Sequence, residues 1–166
     1  MTPEMAAYVD LERALRAGDV AAAQAVVPDF PHGLDPYTQV PLLSLAISWA
    51  PVDCVRTMLA AGADPNYVAA DGFPALVAAA LSGRPDRVEL LGVLVSAGAD
   101  LAARGVNDWT PLHAAASVDD PEAVALLLAA GADPSLRTSI DDLATALEEA
   151  ERFGNTRAAA VLRGGT

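Results

Sequence analysis

The chain has 166 residues and carries 22 acidic against 10 basic side chains, a net charge of −12. All ten basic residues are Arg, so a Walker-A loop, a protein kinase and a Schiff-base enzyme, which each need a Lys, are excluded, and the acidic balance opposes nucleic-acid phosphates and anionic lipid heads. Alanine occurs 37 times and 53% of residues are apolar, while only 5% are aromatic, which describes a helical core of small side chains and not a disordered chain.

The first ten residues show no basic stretch followed by an apolar one, so no signal peptide is expected. Apolar runs such as Ala75 to Leu81 fall far short of the roughly 18 residues of a membrane span. A soluble, cytoplasmic protein is the expectation. Two helical patterns follow, Tyr8 to Arg16 and Val20 to Val27, joined at Gly18-Asp19, with Leu11 and Leu15 facing inward and Glu12, Arg13 and Arg16 facing water. A Pro-rich loop, Pro28 to Pro36, contains His32.

From there the chain repeats. Gly-Ala-Asp occurs at Gly62, Gly98 and Gly131, 36 and 33 residues apart. Upstream of each lies a second marker, Val40-Pro41-Leu42, Pro74-Ala75-Leu76 and Thr110-Pro111-Leu112, with Thr145-Ala146-Leu147 as a degenerate fourth. The aligned Leu residues 42, 76, 112 and 147 are 34, 36 and 35 apart. Each unit reads as helix, tight turn, helix and irregular stretch. Thr110 supplies an N-cap oxygen, and Pro111 suits a first helical position that needs no backbone N–H. A second helix follows Pro121, with Pro51 and Pro85 in similar places. Its stripe is Val124, Leu127 and Leu128, matched by Val55, Met58 and Leu59 and by Val88, Leu91 and Val95. The glycines 62, 98 and 131 then end the helix in a left-handed conformation. A final pair, Thr145 to Phe153 and Thr156 to Leu162, is joined at Gly154-Asn155 and made polar by Glu148, Glu149, Glu151, Arg157 and Arg163. One such pair cannot hide its apolar faces; stacked neighbours can, at roughly 1.5–3 kcal/mol for each buried Leu or Val.

These features resemble the ankyrin repeat over almost the whole chain, most closely at Asn107-Asp108-Trp109-Thr110-Pro111-Leu112-His113-Ala114-Ala115-Ala116 and at Glu122 through Asp133. Val40-Pro41-Leu42-Leu43 departs by lacking the Thr and the His, Pro74 stands one place early, and Ser82 to Asp86 holds about three extra residues. The resemblance implies an all-α solenoid of about five stacked helix-turn-helix units with hairpin-like fingers. The expected division is a terminal unit over 3–34, repeats over 35–68, 69–104 and 105–139, and a terminal unit over 140–163. It also implies a concave face, lined by fingers and first helices, that binds a partner protein.

By repeat register, Tyr37, Phe73 and Trp109 fall in the fingers with Gln39, Asp71, Asn107 and Asp108. Trp49 and Phe153 end first helices beside the same face, where Leu81, Val118, Asp119 and Arg152 are also placed, and Asp141 and Asp142 extend an acidic rim. Exposed Trp and Tyr serve as interface anchors, although Trp49 and Phe153 could instead fold over gaps between repeats. Acid around aromatics favours a partner with a basic surface.

No enzyme is expected. The resemblance implies that His113 hydrogen-bonds turn backbones, and no nucleophile or second ligand accompanies it. His32 reads as a solvated loop residue or a partner contact. Cys54, the one cysteine, excludes an internal disulfide and reads as a small buried apolar residue. Asp119-Asp120 and Asp141-Asp142 lack the alternating oxygens of a calcium loop and suit caps and turns. No catalytic, cofactor or metal residue is assigned. The expectation is a non-enzymatic adaptor or inhibitor with no nucleic-acid or membrane partner, monomeric by default. The Arg-only, Ala-rich composition points to a GC-rich bacterial genome, where a toxin-neutralising immunity protein is the alternative. A self-assembling role and a small-molecule enzyme with convergent titratable groups are the rivals from other classes.

Overall fold

Short amphipathic helices need cover on more than one side, and this chain supplies it in two layers. A computed structural model describes residues 2–26, 41–69, 72–139 and 143–164, leaving the side chain of Glu4 aside. Among the described residues five helix pairs follow in order: α1 (Pro3–Ala17) and α2 (Val20–Val26), α3 (Leu42–Trp49) and α4 (Val52–Ala60), α5 (Ala75–Leu81) and α6 (Arg87–Ser96), α7 (Pro111–Ser117) and α8 (Pro121–Ala129), α9 (Ala146–Phe153) and α10 (Thr156–Gly164). The odd helices pack on one another in sequence, α1 on α3, α3 on α5, α5 on α7 and α7 on α9. The even helices do the same from α2 to α10, and each pair is closed by its own internal contact. The fold is an all-α solenoid, as the period implied. Among the described residues no helix is long and apolar enough to cross a membrane.

The repeated residues have local causes. Gly62, Gly98 and Gly131 hold φ of +101°, +90° and +99°, which residues with a Cβ rarely adopt. The following Ala N–H then turns back onto the last turn of the helix: Ala63 donates to Met58 at 3.0 Å, Ala99 to Leu94 at 3.0 Å and Ala132 to Leu127 at 2.9 Å. Those three alanines are buried. Each Asp closes a turn, accepting from the N–H two residues on: Asp64 from Asn66 at 2.8 Å, Asp100 from Ala102 at 2.9 Å and Asp133 from Ser135 at 2.8 Å. Thr110 and Thr145 cap α7 and α9 through reciprocal bonds with His113 and Glu148. Where Thr is missing, Pro41 and Pro74 precede α3 and α5 without a side-chain cap.

Three expectations need correction. The buried stripe of α6 is Leu90, Leu91 and Leu94 with Val93, while Val88 and Val95 are half-buried. This helix is covered by α4, α5 and α8, so its apolar arc is wider than a single i, i+3, i+7 line. Of the three prolines before second helices, only Pro121 opens its helix. Pro51 is the residue before α4, and Pro85 lies in a turn ahead of Arg87, because the extra residues at 82–86 delay the helix. Glu149 does not belong to the polar outer face: it is 3% exposed and pairs with Arg152.

Polar side chains tie one unit to the next. Arg84, brought in by the extra residues, donates to the terminal carbonyls of α3 at Ala46 (3.3 Å) and Ile47 (3.2 Å) and is held by Asp86 at 2.7–2.8 Å. Asn155 does the same in the last unit, donating to Ala116 and Ser117 at 2.8 Å each. Asn66 bridges to the next Gly-Ala-Asp turn through Gly98 (3.1 Å) and Asp100 (2.7 Å). Asp120 accepts from Glu122 and Ala123 at the start of α8 and pairs with Arg87 at 2.6 Å. Burial raises the Asp120 pKa, but the Ala123 N–H and Arg87 outweigh it and hold the carboxyl below its usual range. Cys54 is buried on α4, and burial pushes its thiol pKa up.

His113 is 1% exposed. Its Nδ1 faces the Thr110 hydroxyl at 2.8 Å, and Nε2 lies 3.0 Å from the Ala144 carbonyl of the next unit, an arrangement that suits a neutral ring with its proton on Nε2. Burial lowers the His113 pKa below 6.5, and the Ala144 and Glu149 interactions offset that only partly. The unfolded chain therefore binds this proton before the folded chain does, so stability rises with pH up to about 6.5 and is lost as pH falls from there toward the depressed pKa.

Two outcomes follow for stability. In denaturant titrations at neutral pH, Asp120→Ala should cost about 2–4 kcal/mol, because α8 loses its cap and Arg87 loses its partner, whereas Asp120→Asn should cost less. The native chain should lose stability between pH 6.5 and 5.5 relative to His113→Gln, itself about 1–3 kcal/mol less stable at pH 7; parallel pH curves for the two would contradict the assignment.

Candidate functional site

The odd helices form one layer of the stack, and the described part of the linking segment before α5 lines a crevice beside α3 and α5. The linkers are short fingers: Val68 bridges Pro74 and Arg137 bridges Thr145. Between Gly105 and Trp109 the chain reverses through Asn107 and Asp108, both at φ of +61°. Asn107 is exposed at this tip, whereas Asp108 is turned inward. It accepts the hydroxyl of Ser139 at 2.6 Å and pairs with Arg104 at 2.6 Å. The Ser139 bonds, chiefly, hold the Asp108 carboxyl below its ordinary pKa. Arg104 also donates to the Arg137 carbonyl at 3.0 Å, and Arg137 pairs with Glu148 at 2.9 Å, so the third and fourth fingers are fastened together.

Asp119 is likewise used inside the chain. At φ of +53° its carboxylate accepts from the Arg157 and Ala158 N–H groups at 3.0 and 2.8 Å and caps α10 across the unit boundary. Capping is the role the sequence favoured for this doublet, and Asp120 performs it for α8. Tyr37, Gln39, Asp71, Asp141, Asp142 and His32 lie outside the described residues.

The described aromatic residues of the later units fall in three places. Trp109 meets Phe153 edge to face, with centroids 6.3 Å apart and planes at 75°. Phe153 is 52% exposed, and the Arg152 guanidinium lies 5.1 Å from its ring. Trp49, 37% exposed, carries Arg16 at 5.3 Å, and Arg16 is itself held by Glu12 at 2.7 Å. Phe73 is half-buried against the core and lines an apolar crevice with Leu43, Ile47, Tyr67 and Ala78. Leu81 is half-buried, and Val118 is 38% exposed. The sequence did not single out Val68, Val106 and Leu143, which expose 51%, 44% and 54% of their area on the fingers. Their finger location was readable, but nothing in a lone Val or Leu signals exposure.

Charge is distributed unevenly. Among the described residues every arginine except Arg157 pairs with a carboxylate. Every described acid except Glu122 likewise accepts a hydrogen bond or an ion pair within the chain, most at caps, turns and pairs. Among the described residues no group of three His, Cys, Asp or Glu side chains is arranged to hold a metal ion.

Comparison with known proteins agrees with this architecture. The family description "Ankyrin repeats (3 copies)" matches residues 43–138 and 76–164. Over 91 residues the chain is 37% identical to the E3 ubiquitin-protein ligase KEG of Arabidopsis thaliana, a match that covers 54% of this chain and 5% of that protein. The alignment thus touches a small stretch of a much larger protein. Ankyrin repeats are generally protein–protein interaction modules and generally non-enzymatic. With its helix pairs, its Gly-Ala-Asp turns and this match over most of its length, the chain belongs to the ankyrin-repeat family.

Proposed function

We propose that the five helix pairs act as one domain, a non-enzymatic adaptor or inhibitor that binds a partner protein through the face made by the fingers and the odd helices. The observation that carries this reading is the Trp109–Phe153 pair. It draws two large rings from adjacent units to one surface, 6.3 Å apart, while leaving Phe153 half exposed. Exposing such area costs free energy unless it is covered in use, and aromatic rings with a neighbouring Arg are the usual anchors of interfaces.

The expected partner has a basic surface. Acids at caps and turns are committed, whereas Asp29, Asp35, Asp71, Asp141 and Asp142 fall by sequence in the linking segments, and the chain as a whole, with a net charge of −12, attracts a cationic surface. The same charge serves an inhibitor that plugs a basic toxin site, and a toxin gene beside this one would select that form of the reading.

Affinity capture from the native organism followed by mass spectrometry should identify the partner. Trp109→Ala and Phe153→Ala should each weaken that partner by about 10- to 30-fold while leaving the far-ultraviolet helical signal intact. Unchanged affinity in both variants would refute the assignment of this face.

A further inference from the structure

The chain spends almost all of its described charges on itself, and the two exceptions meet in one place. Among the described residues, Glu122 is the one acid and Arg157 the one arginine whose charged group bonds to nothing in the chain. Both line a polar cleft of about 290 Å³, where the turns into α6 and α8 meet the start of α10. Glu122 is the second residue of α8 and Arg157 the second of α10, and these helices pack side by side. At the two earlier boundaries of this layer opposite charges do join: Arg56 on α4 pairs with Glu89 on α6 at 3.2 Å, and Arg87 on α6 pairs with Asp120 at the cap of α8 at 2.6 Å. Glu122 and Arg157 instead share the cleft without pairing.

The rest of the lining restricts what can enter. Arg84 is bound to Asp86 and to the carbonyls of Ala46 and Ile47, and Arg87 to Asp120 and Ser82. Asp119 caps α10 and Asp120 caps α8, so the helix ends that could draw an anion are already filled. The walls carry three arginines against three carboxylates, so the cleft as a whole favours neither sign. A simple anion drawn to Arg157 meets the repulsion of Glu122, and a simple cation meets the reverse. A molecule that carries an ammonium and a carboxylate together satisfies both groups through charge-assisted hydrogen bonds. Pro85, Val88 and Val118 add an apolar wall for a short aliphatic chain. The volume lies just below the roughly 300–1,000 Å³ of pockets for drug-sized ligands, which selects a small molecule. Arg84 and Pro85 come from the extra residues at 82–86, so this wall is a property of this chain and not of the repeat.

We propose that the cleft binds a free α-amino acid with a short aliphatic side chain, its ammonium group on Glu122 and its carboxylate on Arg157.

L-valine and its two singly charged halves, isovalerate and isobutylamine, test this by titration into the isotope-labelled full chain at neutral pH and low salt, read from backbone amide shifts. Valine should move the amides of Asp119, Glu122, Arg157 and Ala158 saturably in the millimolar range, and both halves should bind about tenfold more weakly or not at all. Glu122→Gln and Arg157→Gln remove one charge each from exposed positions and should each weaken valine about tenfold while leaving the remaining amide spectrum in place. Absence of a saturable shift, equal binding of either half, or full affinity for valine in either variant would overturn the proposal. Such a failure leaves the partner-binding face standing, since that reading uses neither Glu122 nor Arg157.

Discussion

The structure depends on lateral cover. A helix of seven to ten residues is too short to hold itself in water, and here it persists because a neighbour lies against each side. Alanine makes that possible: Ala79 and Ala80 on α5, and Ala114, Ala115 and Ala116 on α7, are fully buried and let successive odd helices approach closely. Larger side chains, such as Leu90, Leu91 and Leu94 on α6, fill the space between the layers. Substituting a bulky residue for any of these alanines would push two units apart, which is why so apolar a sequence contains so few aromatics.

The polar residues answer a second need created by the first. Short helices multiply helix ends, and each end exposes backbone groups that must be bonded. The chain meets this by reaching across units: Arg84 and Asn155 cover the carbonyl ends of preceding first helices, and Asp119 covers the amide end of α10. Much of the charge is therefore structural. An Asp beside an exposed aromatic can look like a binding residue and yet serve its neighbour's backbone, as Asp108 and Asp119 do.

The repeat, the helix pairs and the polar last pair were legible in the sequence because a period of 33 to 36 residues imposes the same turn geometry each time. Trp49 and Phe153 were legible as the ends of first helices from their register, but whether they stay exposed or fold over a gap was open, and the structure leaves them 37% and 52% exposed. What the sequence hid depends on distance in the chain. Glu149 reads as one more surface acid until the fold buries it, and the bond from Ser139 to Asp108 crosses 31 residues. The extra residues at 82–86 read as an irregularity, yet they deliver Arg84 to a helix end 37 residues earlier.

The ties between units are not shared evenly along the stack. At the C-terminal end Asp119 and Asn155 together make four bonds between the last two units, through the backbone of both. Among the described residues, the first unit meets the second through apolar contact, the Arg16–Trp49 stack and a long bond from Gln24 to Thr57 at 3.5 Å. Heating would therefore unzip the molecule with a polarity, peeling α1 and α2 away while α7 to α10 still hold, so that amide protons exchange first near the N-terminus.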